Sequence, residues 1–429
     1  MRTSNDGLLA QLRHPPGGRD ARLMLAAQGL DRTGTGMWWA ASVLYFTYVA
    51  HLDARQVGLL LGVAAIAGVA GSPIAGWLAE RRSVRRLLIA CHLLRLAAML
   101  LLLVCHGFGE LLPLVALTSL GDRAAKTLEM LFATRVAGQQ RAVYQALFRT
   151  IANAGYAVGA GIAAIGIAIG TVGAYQALIL VNGLSYVGAA LLIRRTGPEA
   201  GQTTARAAAA EQTGPNPWRD RGYLLFVLLD VVMNLDDGVL NVGLPLWLIH
   251  RTHAPHALVP AFLVINTVMV VLLQMRFSGW AGTPRRAATA VALNGATMLA
   301  CCLVIAFGTG GGAWTAALAM VLAAMLTTVA ELLRSVSSWE LAVSLAPEQA
   351  RASYLGVAGM SQSIEKAAGP LLLTGAVFAA GPAGWLALGA VLTGVGALQR
   401  GACLRRLTAL RAAAAEPVTA PQEAAVPAN

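Results

Sequence analysis

The sequence predicts an all-α polytopic membrane protein with twelve transmembrane helices in two six-helix bundles, and three observations carry that prediction. Hydrophobic residues make up 57% of the 429 residues and charged ones only 12%, with a mean hydropathy of +0.64. A soluble domain carries about twice that charged fraction. Apolar runs of the ~20 residues that cross ~30 Å of hydrocarbon recur along the chain. Basic residues fall almost wholly into alternate loops.

In chain order, residues 22–49, 58–79, 87–104, 111–133, 144–169 and 175–193 give six apolar runs. Residues 194–221 then read as a polar linker, with an alanine tract and Gly214-Pro-Asn-Pro, too irregular for a span. Six more runs follow at 222–249, 258–279, 287–307, 314–333, 354–379 and 385–404. The expected organisation is an N-terminal tail (1–21), a first bundle (22–193), a linker (194–221), a second bundle (222–406) and a disordered Ala, Pro and Glu-rich tail (407–429). The polar start with Pro15-Pro16-Gly17-Gly18 resembles no cleavable signal, so span one is expected to double as the insertion signal.

An even number of spans puts both ends and every second loop on one side. Arg13, Arg19, Arg22, Arg81, Arg82, Arg85, Arg86, Arg135, Arg141, Arg194, Arg195, Arg285, Arg286, Arg351, Arg405 and Arg406 all fall on that side, against Arg55 and Arg251 on the other. Basic loops stay in the cytoplasm, so both termini and the linker are expected there. The net charge of +12 is then topology, not a nucleic-acid footprint. The five cysteines form no spaced pair and are expected to be buried free thiols. His250, His253 and His256 lack the carboxylate or cysteine company of a metal site, so no metal and no cofactor is expected.

An internal repeat divides the chain. Leu30-Asp31-Arg32 corresponds to Leu235-Asp236-Asp237, Arg141-Ala-Val-Tyr144 to Arg351-Ala-Ser-Tyr354 with Gly159 and Gly369 at equal distances, and Gly76-Trp77 to Gly279-Trp280. Offsets near 200 residues, in the same order, fit two parallel repeats.

Between runs two and three lies Gly76-Trp-Leu-Ala-Glu80-Arg81-Arg-Ser83-Val-Arg85-Arg86. This loop, with the six-plus-six count and the linker, resembles the major facilitator superfamily, whose signature there is Gly, three residues, Asp, Arg, any residue, Gly and two basic residues. Gly76, Glu80 (for the Asp), Arg81, Arg85 and Arg86 match; Ser83 and Val84 depart from it. The resemblance implies a gate element that latches the cytoplasmic side, with Glu80 meeting Arg85, or an arginine or helix end of a neighbouring span.

Ionisable groups inside spans are costly, so each is read first as functional and second as a structural ion pair. Span one carries Asp31 and Arg32 beside Gly34 and Gly36. Neighbouring helical side chains diverge by about 100 degrees, so these two are expected to pair with other helices rather than each other. Span four carries Asp122, Arg123, Lys126 and Glu129. Asp122–Lys126 and Lys126–Glu129 can pair along one face, which leaves Arg123 to face Asp31 or Asp236. Arg123 also resembles the proton-transfer arginine of the superfamily's exporters, and Gly155, Gly159 and Gly161 resemble their glycine-rich motif, with Ala160 in place of a proline. Span seven carries Asp230, Asp236 and Asp237 with Asn234 and Asn241. Asp230 and Asp237 share a helical face, and Asp237 is the preferred proton or cation site. The alternative is structural pairing of Asp236 or Asp237 with Arg32 or Lys126. Glu365 with Lys366, and Glu331 with Arg334, read as structural pairs.

The chain has no His-Glu-x-x-His, no phosphate loop and no nucleophile turn, which argues against an enzyme and against ATP-driven transport. The resemblance implies a secondary transporter working by alternating access, with a cavity lined by spans one, four, seven and ten. Trp38, Trp39, Tyr45, Tyr48 and Trp247 would suit an amphipathic or aromatic substrate or anchor the membrane interface. The reading is proton-coupled efflux of a small organic compound by a monomer in the cell membrane, with an importer or a non-transport membrane protein as alternatives. Expected partners are the bilayer, the small-molecule substrate and protons, with no nucleic acid.

Overall fold

The computed structural model describes residues 8–105, 107–197, 215–255 and 258–415. These are helical with no strand, and the helices join into twelve rods after a short leading helix, Leu8–Arg13. Span one is Gly18–Leu44 continued by a π turn, Tyr45–Val49; spans two to six are Ala54–Arg81, Val84–Leu102, Phe108–Ala137, Arg141–Ile169 and Val172–Arg194. Span seven is broken into Arg221–Met233, Leu235–Gly238, a π turn Val239–Gly243 and Leu244–Arg251. Spans eight to ten are Leu258–Trp280, Pro284–Gly308 and Ala313–Ser344. Span eleven is Arg351–Ala358, Met360–Leu372 and a π turn, Leu373–Val377; span twelve is Pro382–Ala415.

Local chemistry sets the helix starts. Asp53 accepts from Gln56 N while Gln56 returns a bond to Asp53 N, a capping box that opens span two. Ser83 caps span three and Thr171 caps span six. Span twelve runs on to Ala415, past the expected limit near residue 406, because residues 407–415 are mostly Leu, Ala and Arg, all strong helix formers. The remainder of the expected disordered tail, like His256 of the histidine group, lies outside the described residues.

Among the described residues seven helices are long and apolar enough to cross a membrane. The remaining five spans carry buried or half-buried charges or helix breaks: Asp31 and Arg32 in span one, Arg95 in span three, Asp122, Arg123, Lys126 and Glu129 in span four, and interruptions in spans seven and eleven. Hydropathy is lost where polar groups have been placed inside the bundle, which is where function is sought in membrane proteins.

Packing repeats the sequence duplication. Span one packs on five and six, two on four, and three on four and six; correspondingly seven packs on eleven and twelve, eight on ten, and nine on ten and twelve. Small residues let the rods approach. A Cβ on Gly36 would lie 2.7 Å from the Tyr156 carbonyl oxygen, and one on Gly159 would press into the Thr33 carbonyl. Gly161 faces open space, so the fifth-span glycines divide into two that pack on span one (Gly155, Gly159) and one that does not.

The two halves meet mainly through spans two and eleven and through span five against spans eight and ten. Glu80 on the Ser353 amide and Arg141 on Glu340 place such meetings on the arginine-rich side.

Candidate functional site

In the first half, seven titratable side chains from three spans gather in one buried network. Arg32 reaches Asp31 at 3.2 Å, Asp122 at 3.2 Å and Glu129 at 2.7 Å. Arg95 reaches Asp31 at 2.7 Å and hydrogen-bonds to the Thr35 and Tyr186 hydroxyls. Lys126 lies 3.2 Å from Asp122, and His92 Nδ1 lies 3.8 Å from Asp31. Three carboxylates, Asp31, Asp122 and Glu129, stand against three basic side chains, Arg32, Arg95 and Lys126, with the His92 ring beside them.

This differs from the sequence expectation in three ways. Asp31 and Arg32 do touch, because the long guanidinium folds back along its own helix while also spanning to span four. Glu129 pairs with Arg32 instead of Lys126, since a guanidinium satisfies two carboxylates at once. Arg123 forms no ion pair among the described residues and faces neither Asp31 nor Asp236, whose positions are taken by Arg95 and Arg334. Its stem packs against Gly68 and Gly71 of span two.

The loop after span two joins the halves. A Cβ on Gly76 would collide with the Ala352 carbonyl oxygen, so glycine is required where span two crosses span eleven. Glu80 accepts from the Ser353 amide at 3.1 Å, at the start of Arg351–Ala358. A carboxylate there meets an unsatisfied N–H and the positive end of the helix dipole. Arg81 stacks on Trp77 at 3.9 Å, Arg85 donates to the Thr196 carbonyl at 2.8 Å, and the Arg86 amide faces Ser83. Of the partners expected for Glu80, the structure presents the helix end. On the same side Arg141 forks onto Glu340 at 2.8 and 2.6 Å, from span five to span ten.

A cavity between the halves has a volume near 200 Å³ and is walled by spans five, seven, ten and eleven, so of the four spans expected to line such a cavity seven and ten take part in this one and one and four do not. Asp237 is the one member of the predicted set that lines it. Arg149 of span five pairs there with Glu331 of span ten. Arg334 is drawn to Asp236 at 2.7 Å and to Asn234 at 2.7 Å. Glu331 and Arg334, three residues apart, therefore do not pair with each other. Lys366 lies 3.7 Å from Asp237, with both side chains about one-third exposed (38% and 31%). Glu365, the expected partner of Lys366, is buried against Gly238 instead and forms no ion pair among the described residues. Asn241 donates to the Asp237 carboxylate at 3.2 Å.

Asp230 and Asp237 do not share a site. The helix stops at Met233 and restarts at Leu235, and a π turn follows, so seven-residue spacing no longer stacks side chains. Asp230 is taken up by Ser338 at 2.8 Å and Ser361 at 2.6 Å. Neither Asp236 nor Asp237 reaches Arg32 or Lys126. Trp247, read as a cavity aromatic, is buried against Phe378 and Trp385 and donates to Thr309. Trp38 and Tyr45 are buried with Phe46. Trp39 and Tyr48 are exposed, and Lys366 sits 5.6 Å over the Trp39 ring.

Arg95, His92, Arg149 and Glu340 escaped the sequence reading. His92, Arg95 and Arg149 lie inside apolar runs, so the cost of intramembrane charge was the signal available for them; Glu340 lies beyond the run at 314–333, on the stretch by which the helix of span ten outlasts it.

The fold is similar to that of a bacterial homologue of the iron transporter ferroportin in its outward-facing state, at a TM-score of 0.69 and 15% identity over 91% of this chain and 99% of that one. It is similar to the proton:xylose symporter bound to 6-bromo-6-deoxy-D-glucose, at a TM-score of 0.68 and 13% identity over 91% and 98%. It is also similar to the E. coli fucose:proton symporter, at a TM-score of 0.65 and 14% identity over 90% and 98%. At these identities the likeness is one of fold. No curated protein matches the sequence. A family model of the Major Facilitator Superfamily matches residues 24–370, most of the chain. With the loop at 76–86 and the duplicated helical packing, this identifies the chain as a multi-pass membrane transporter belonging to the Major Facilitator Superfamily.

Proposed function

We propose that this transporter exports a small organic compound in exchange for protons, by alternating access about the cavity between its halves. The observation that carries the reading is the Asp237–Lys366 pair. It is longer than the tight buried pairs around it and open to the cavity, so a proton or a substrate can separate its members. Protonating Asp237 frees Lys366; a solute that engages either group competes with the other. The charge balance supports this, because Arg149–Glu331 and Arg334–Asp236 are already closed.

The reading places the protein in the cell membrane as a monomer with both termini and the arginine-rich loops in the cytoplasm. Gly76, Glu80 and the Arg141–Glu340 fork then latch the cytoplasmic side in a state that faces outward. The first-half network, with Asp31, Arg32, Asp122 and Lys126, serves in this account as a structural clamp. Import by symport remains the competing direction.

The test is a screen of amphipathic organic compounds against protein-containing liposomes with an entrapped pH dye. Compound-dependent proton movement that opposes compound flux supports antiport, and movement in the same direction supports symport. Compound flux indifferent to a proton gradient would refute coupling.

A further inference from the structure

A hollow on the arginine-rich side lies between spans nine and twelve, away from the cavity between the halves. Its volume is near 390 Å³, and Arg285, Arg400 and Arg411 all line it with Leu404 and Leu407. Arg400, Leu404, Leu407 and Arg411 stand at i, i+4, i+7 and i+11, one stripe of span twelve. Arg285 is in the first turn of span nine.

Two features separate this cluster from a merely topological excess of arginine. Its neighbours are committed: Arg406 to Asp220, Arg286 to the Trp280 carbonyl and Arg405 to the Gly401 carbonyl. Arg285, Arg400 and Arg411 form no ion pair among the described residues, and no carboxylate lines the hollow. Three positive side chains thus line one hollow that holds no carboxylate, which gives it a chemistry suited to an anion. Guanidinium forks match phosphate geometry.

Position names the source of that phosphate. Span twelve has 34 residues, about 51 Å at 1.5 Å per residue, against ~30 Å of hydrocarbon. Counted from Pro382, the ~20 residues that cross end close to Arg400, so the last turns overhang into the headgroup layer. Leu404 and Leu407 give the hollow an apolar floor, which the apolar part of a lipid can use and a free ion cannot.

We propose that this hollow binds the phosphate of an anionic phospholipid headgroup. Basic pockets between helices at the membrane surface recognise such headgroups. The experiment is native mass spectrometry of the full-length protein in detergent, titrated with phosphatidylglycerol, with phosphatidylcholine, and with phosphatidylglycerol in the presence of inorganic phosphate. The wild type is expected to prefer phosphatidylglycerol by about tenfold, a 1.4 kcal/mol difference. The variant Arg285→Gln/Arg400→Gln/Arg411→Gln is expected to lose that preference. The charge-matched variant Arg194→Gln/Arg195→Gln/Arg286→Gln is expected to keep it. If the triple variant does not fold, Arg411→Gln alone, in the exposed last turns, is expected to weaken the lipid by roughly threefold. Equal loss in the charge-matched variant, no preference in the wild type, or displacement of the lipid by inorganic phosphate would each overturn the proposal, the last in favour of a free-anion site.

Discussion

Arg95 and Asp31, on spans three and one, meet at 2.7 Å with both side chains almost wholly out of solvent. Removing one member of such a pair strands the other charge in low dielectric, at a cost of about 3–5 kcal/mol, whereas removing both costs much less. Arg95→Leu is therefore expected to lower the thermal unfolding temperature in detergent sharply, and Arg95→Leu/Asp31→Asn to recover part of the loss. A double variant no more stable than the single one would show that the two residues act separately.

The crossing of spans two and eleven makes a local prediction with its own control. Gly76→Ala forces a methyl into the Ala352 carbonyl, so it is expected to destabilise the protein and loosen the arginine-rich side. Gly161→Ala meets nothing within 4 Å and, inside a helix, is expected to be neutral or to gain up to ~1 kcal/mol. Thermal denaturation of both variants checks the contrast; similar losses would remove the close approach as the cause.

Arg141–Glu340 joins span five to span ten, with Glu340 buried (3% exposed). Glu340→Gln is expected to shift the population toward opening on that side. Spin labels at Arg82 and Gln349, both exposed, should report longer distances in the variant. An unchanged distance distribution would mean that the fork does not hold the halves together.

At the start of span seven, Asp220 accepts two bonds from Arg406, at 2.5 and 2.7 Å, and one from the Tyr354 hydroxyl. The Arg406 bonds are the main reason its carboxyl is pulled down to about 2. A depressed carboxyl stabilises the fold above its unfolded value near ~3.9, and that contribution is lost as pH falls toward the folded value. Asp220→Asn is expected to unfold at lower temperature than wild type at pH 7, with the gap narrowing between pH 4 and 2. A gap independent of pH would point to lost packing instead.

The architecture was legible because its causes are written locally. Span lengths follow from apolar runs, and the 76–86 loop carries a glycine and a carboxylate whose uses are backbone approach and helix-end binding. The pairing of charges was legible only in part: Asp122 and Lys126, four apart on span four, do pair at 3.2 Å, but most partners come from other helices. Arg334 and Glu331 are ideally spaced to pair along span ten, yet each is drawn to another helix, Arg334 to Asp236 and Glu331 to Arg149. Helical spacing states which pairs can form within one rod, while burial rewards the partner that other rods supply. Span seven defeated periodicity for a different reason: breaks after Met233 and at Val239–Gly243 change the register that would have aligned Asp230 with Asp237.

The most direct test of the account is proton-coupled transport by Asp237→Asn, in liposomes, using the compound that gives the strongest proton-linked signal in the wild type. An imposed pH gradient is expected no longer to drive transport, while the variant folds, binds the compound and still exchanges it down its own gradient. Normal pH-driven transport by Asp237→Asn would contradict it.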